Sequence, residues 1–124
     1  NAAAEVCVEK ALRALESRRW DGDEFAMKLT KYALVYTAAG QPEKAKPYID
    51  EALSIPLCEH CRYSKCKDAY LALAEYYEAL GDYDKVIEIC REGHELAKDE
   101  YDFIYIAERI RREHKKELKK ENRK

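Results

Sequence analysis

Three of the chain's five cysteines fall within nine positions, in the stretch LCEHCRYSKC at residues 57–66. Cys58 and Cys61 form a C-x2-C pair, and Cys66 follows at the start of an expected helix. A turn of that length presents two thiolates to one zinc ion, which takes four soft ligands in a tetrahedron. The second pair is incomplete here, so His60, Cys7 or Cys90 would have to supply the fourth ligand. His60 lies between two of the other ligands, which strains a shared tetrahedron. Cys90 falls on the inward side of a helical pattern and reads as core, where free cysteine is common. A redox switch is the second chemistry, because a thiol near a helix N-terminus ionises more readily. The third reading is a connector with inert thiols. The missing ligand favours that connector and no cofactor; zinc on Cys58, Cys61, Cys66 and His60 is the alternative.

No other residue set supports catalysis. Serine occurs only at 17, 54 and 64, away from any recognisable His/Asp partner. No glycine-rich phosphate loop is present. Acidic pairs abound, but on the solvated faces of helical patterns. The chain is therefore expected not to be an enzyme.

Charge is unevenly distributed. Residues 109–124, RIRREHKKELKKENRK, carry nine basic and three acidic residues, while the whole chain has a net charge of −2. A basic end can contact nucleic acid. This one lacks interleaved aromatic residues and spaces its acids evenly, which suits a solvated helix better, and nucleic acid is not expected as a partner. Glu113–Lys116, Glu117–Lys120 and Glu121–Lys124 are i,i+3 pairs that would support a protruding helix. Trp20, in RRWDGDEF, reads as a plug beneath a loop, and Asp21 or Asp23 can cap the helix that follows.

The elements that carry these residues are helical throughout. Charged residues make up 39% and hydrophobic ones 47% of 124 residues, as expected of helices with one apolar and one solvated face. No apolar run approaches the roughly 18–20 residues of a membrane span, and no signal-peptide pattern opens the chain. An odd cysteine count in no secreted spacing points to a reducing cytoplasm. The chain opens on Asn1, and it is expected to be a piece of a longer protein.

KLTKYALVYTAAGQPEKAKPYIDEALSIP and AYLALAEYYEALGDYDKVIEICREG superpose at a shift of 41 residues. Leu29 falls on Tyr70, Tyr32 on Leu73, Ala33 on Ala74, Tyr36 on Tyr77 and Gly40 on Gly81. Beyond the glycine, Ala45 falls on Val86, Ile49 on Cys90 and Ala52 on Gly93. Ala4, Val8, Ala11 and Leu12 precede Ala45, Ile49, Ala52 and Leu53 by the same shift. Each unit reads as two helices. Gly40 and Gly81 end the first helix at a left-handed position. Pro42 opens the second, where its missing N–H costs nothing. Pro47 predicts a kink or a late start, and Pro56 closes the helix. Asp82 and Ser64 are candidate caps. Alanines at 33, 45, 52 and 74 let helices approach, and Tyr36 and Tyr77 fill the space beside them.

These residues resemble the tetratricopeptide repeat. YLALAEYYEALGDYDKVIEIC follows that family's order of bulky, small, tyrosine, glycine, tyrosine and alanine-like positions, and the resemblance covers roughly residues 4–98. The 41-residue spacing exceeds the family's usual 34 or so. Pro42 replaces the usual aromatic, and Gly93 the usual alanine. Longer repeats of this kind look like those of bacterial regulators and signalling adaptors. A HEAT-like repeat has such a period without the glycine and tyrosine pattern.

The resemblance implies an all-α, right-handed superhelix of antiparallel hairpins, about five helices with a C-terminal cap. Its units are a half repeat at 3–19, repeats at 24–55 and 65–97, and a capping helix at 100–121. It implies a noncatalytic scaffold that binds a protein or peptide in a concave groove. The matching groove positions are Met27, Thr30, Leu34 and Thr37, then Asp68, Leu71, Glu75 and Glu78, with Tyr105, Arg109 and Arg112 from the cap. The family's basic clamp for chaperone C-terminal carboxylates needs Lys, Asn and Arg where this chain has Thr30, Leu34, Leu71 and Glu75. An apolar floor with an acidic wall suits a ligand with hydrophobic and basic residues. The plainer reading of the same positions is a solvated face, or a contact with other parts of the parent protein. A homodimer, a Cys-cluster sensor domain and the repeat part of a bacterial transcriptional regulator are the other expectations.

Overall fold

A computed structural model describes residues 2–19, 25–55, 67–98 and 100–118. Trp20, Asp21, Asp23, Pro56, Ser64 and the Cys58, His60, Cys61, Cys66 cluster lie outside that set, as do the acid–base pairs beyond residue 118. The described residues form six helices and no strand: α1 (Ala2–Ser17), α2 (Phe25–Ala38), α3 (Pro42–Ser54), α4 (Lys67–Leu80), α5 (Tyr83–Leu96) and α6 (Asp102–Glu113).

The two hairpin turns are built alike. At Gly40 the Gly40 N–H donates to the Thr37 carbonyl (3.1 Å) and the Gln41 N–H reaches back to Tyr36 (2.9 Å). At Gly81 the same pair runs to Glu78 and Tyr77, both at 3.0 Å. This crossed pair satisfies the last carbonyls of a helix, and its hinge needs a left-handed residue. Both glycines have φ 76°. The second helices begin differently. Pro42 starts α3 directly after Gln41, whereas Asp82 caps α5, its carboxylate accepting the Lys85 N–H at 3.3 Å. Pro47 does not delay α3, which starts at Pro42 and runs through it. The amide that Pro47 lacks would have bonded the Glu43 carbonyl. Both residues are exposed, so water can serve that carbonyl.

Each helix packs on its sequence neighbours. The first helices α2 and α4 also touch, as do α3 and α4. Small residues make these seams. Ala33 and Ala45 are 0% exposed, and Ala74 is 1% exposed. Tyr36, Tyr48 and Tyr77 pack beside them. Tyr48 of α3 stacks on Tyr32 and Tyr36 of α2, with ring centroids 5.3 and 5.9 Å away. Cys90, Val86 and Ile87 line the inner side of α5. A very close seam joins α5 to α6. A Cβ placed on Gly93 would lie 2.4 Å from the Phe103 ring, and Phe103 is fully buried.

Helix α6 differs from the expected projecting rod. It stops at Glu113, short of 121, and His114 closes it by donating its N–H to Ile110. The chain then turns back. His114 lies flat on Tyr83, with ring centroids 3.6 Å apart, and Leu118 enters the core at 2% exposure. A straight helix would carry Leu118 roughly 12 Å past Ile110. Burying a leucine contributes about 1.5–3 kcal/mol, while a surface i,i+3 pair contributes about 0.2–0.5. The buried side chain decides the path.

The start of α6 is also tied down. Glu100 accepts the Asp102 N–H at 3.2 Å and pairs with Lys67 at the start of α4.

Gly93→Ala is expected to destabilise the protein by up to about 2 kcal/mol. Overpacking costs about 1–3 kcal/mol, and roughly 1 is returned as helix propensity. The check is the urea midpoint at unchanged m-value; a midpoint at or above wild type would show that Phe103 yields freely.

Candidate partner-binding groove

The first helix of each hairpin exposes one face beside the next, and α6 continues the row. Where α2, α4 and α6 meet lies a recess of about 460 Å³. Thr37 and Ala38 come from α2, Ala74, Glu75, Glu78 and Ala79 from α4, and Ile106 and Arg109 from α6. The alanines keep it open, since bulkier residues at those positions would fill it. Thr37, Glu75, Glu78 and Arg109 were expected groove residues, and this recess brings them together.

The other expected positions sit elsewhere. Thr30 is 3% exposed, and its hydroxyl donates to the Ala26 carbonyl at 2.9 Å. It is therefore held inside rather than presented. Leu34 and Leu71 are half-buried against the core. Met27 and Asp68 are half-buried, and Arg112 is exposed. Tyr105 is 64% exposed on the outside of α6. Sequence reasoning passed over Ala38 and Ala79, which line the recess. They stand 41 residues apart, one position beyond Thr37 and Glu78, and that spacing was the available signal.

Charge in the recess is organised by one fork. Arg109 donates to both oxygens of Glu78, Nη2 at 2.6 Å and Nη1 at 2.9 Å, and Nη1 also reaches Glu113 at 3.1 Å. The guanidinium holds the Glu78 carboxyl below the usual glutamate range. Glu78 in turn pushes Arg109 further up. One turn earlier, Glu75 keeps an exposed side chain, yet its place between the walls costs its carboxylate hydration. That desolvation raises its pKa, with Glu78 adding and Arg109 opposing. Asp68 is raised for the same first reason, opposed by Lys67 and Lys31. The Thr37 hydroxyl oxygen is buried, with no hydrogen-bond partner among the described residues.

A second cleft of about 310 Å³ lies between α1 and α2, lined by Cys7, Val8, Ala11, Val35, Ala38 and Ala39. Among the described residues no group of three or more His, Cys, Asp or Glu could hold a metal ion. No described helix is long and apolar enough to cross a membrane.

Tetratricopeptide repeat models match residues 29–56 and 67–110. The chain belongs to the tetratricopeptide repeat family. No curated protein and no solved structure matches it. Tetratricopeptide repeats generally serve as noncatalytic scaffolds for protein–protein interaction, and the all-α hairpin array seen here is that architecture.

The groove's ionisation and the core thiol are both open to measurement. Glu78 and Glu100 both have lowered pKa values. Their stabilisation is complete above the ordinary glutamate value of 4.5 and is lost as the pH falls through the lowered ones. Arg109→Met is therefore expected to cost about 1 kcal/mol at neutral pH, discounted for partial exposure, and clearly less near pH 3. Urea unfolding at both pH values checks it, and an equal cost at both would contradict the assignment. Separately, burial pushes the Cys90 thiol up to about 11, whereas Cys7 is exposed. Iodoacetamide mapping by mass spectrometry at neutral pH should label Cys7 in the native protein and Cys90 only in denaturant.

Proposed function

We propose that this scaffold binds a protein or peptide partner in the recess where α2, α4 and α6 converge. The carrying observation is geometric: three helices from successive hairpins place Thr37, Glu75, Glu78 and Arg109 around one open volume of about 460 Å³. Met27, Leu34, Asp68 and Leu71 extend the same row of first helices, and Tyr105 and Arg112 flank it from α6. Alanines and Ile106 supply an apolar floor, and the glutamates an acidic wall. That combination suits an extended or helical segment with hydrophobic and basic residues. The partner is a separate protein or another part of the parent chain, and binding needs no cofactor. Free thiols at Cys7 and Cys90 fit a reducing compartment such as the cytoplasm.

Ala79 is exposed and lines the recess, so Ala79→Trp fills the site without entering the core. Partners captured by the wild type are expected to drop about tenfold on this variant, equivalent to roughly 1.4 kcal/mol. A surface change on α1, Lys10→Glu, should leave capture intact. Quantitative mass spectrometry of matched pull-downs measures both, and equal capture by wild type and Ala79→Trp would rule the groove out.

A further inference from the structure

We infer that the recess seats one lysine or arginine side chain of the partner, and that Glu75 alone among its charged residues reads it. This rests on the recess being the binding site. Most of the charge there is already engaged. Both Glu78 oxygens accept from Arg109, and Arg109 spends a further N–H on Glu113. Those three groups satisfy one another across α4 and α6. Glu75 makes no hydrogen bond and no ion pair among the described residues, although it stands on the same face of α4 as Glu78. It is a whole carboxylate facing an open volume, with a second carboxylate behind it.

A carboxylate ligand would meet both glutamates and could reach Arg109 only by breaking its two-pronged bond. A neutral ligand would leave Glu75 partly dehydrated and unpaired. A cationic side chain resolves both difficulties. Its head pairs with Glu75, and its methylenes lie along Ala38, Ala74 and Ile106, as long basic side chains do on apolar surface. Arg109 is thus a positioning residue: it withdraws Glu78 from competition and braces α6 against α4.

The test uses an array of N-acetylated 13-residue peptides with apolar flanks and a central arginine, lysine, citrulline or glutamate. Retained peptides are titrated by fluorescence anisotropy against wild type, Glu75→Gln, Glu78→Gln and Ala79→Trp, with thermal melts confirming that each variant is folded. Arginine or lysine peptides are expected to bind about tenfold more tightly than their citrulline counterparts, as a charge-assisted hydrogen bond implies. Glu75→Gln should abolish that preference. If peptides bind and Ala79→Trp blocks them, but arginine and citrulline bind alike, the inference falls and the groove assignment stands. A preference that survives Glu75→Gln also overturns the inference and spares the groove. If no peptide shows binding that Ala79→Trp removes, both fall.

Discussion

Close approach between helices is the constraint on which the architecture depends. A helix pair can nest only if one side of the seam is nearly bare, and this chain places Ala33, Ala45 and Ala74 there, each essentially without solvent access. Gly93 carries the rule to its limit, leaving room for the Phe103 ring where a single extra carbon would collide. The volume removed from the small side is returned by tyrosines on the other and by the buried aliphatic side chains of Ile49, Val86 and Ile110, so packing stays dense. The seams also set the angles at which α2, α4 and α6 stand. The recess between them is a by-product of those angles.

The polar chemistry sits on that frame in two layers. Lys67, Glu100 and the Asp102 amide join the starts of α4 and α6. Arg109, Glu78 and Glu113 join the same helices further along. Two ties at different heights keep α6 from swinging about either one. Their energies are small, because both pairs remain partly solvated. Their value is in orientation: bidentate geometry fixes an angle as well as a distance. Glu75 is left outside both layers, which is why its environment differs from that of Glu78 only one turn away.

Much of this was legible in the residue order, and the reason is locality. Gly40 and Gly81 are confined by a backbone torsion, Pro42 and Asp82 by the free amides of a first turn, and Ala33 and Ala74 by the period of one helix. Each rule operates within a few residues. The features that escaped were settled at long range. The end of α6 looked like a continuing helix because its i,i+3 pairs are local, whereas the pull of Leu118 into the core depends on where α5 lies. Arg109 looked available for a ligand because its partner Glu78 is 31 residues away. Thr30 looked like a groove residue from its register, yet its hydroxyl is turned onto its own helix. Ala38 and Ala79 were overlooked because alanine carries no chemical signal; they matter for the space they leave empty.

Among the described residues, the first and last helices are held differently. At one end α1 leans chiefly on α2 and leaves Val6 48% exposed. At the other, the returning chain locks α6 with Leu118 and the His114–Tyr83 stack. In a molecule where each helix is steadied only by its neighbours, this asymmetry gives thermal fluctuation a direction. Among the described helices, the groove at α4 and α6 therefore stands beside the more firmly tied one, where local opening costs more.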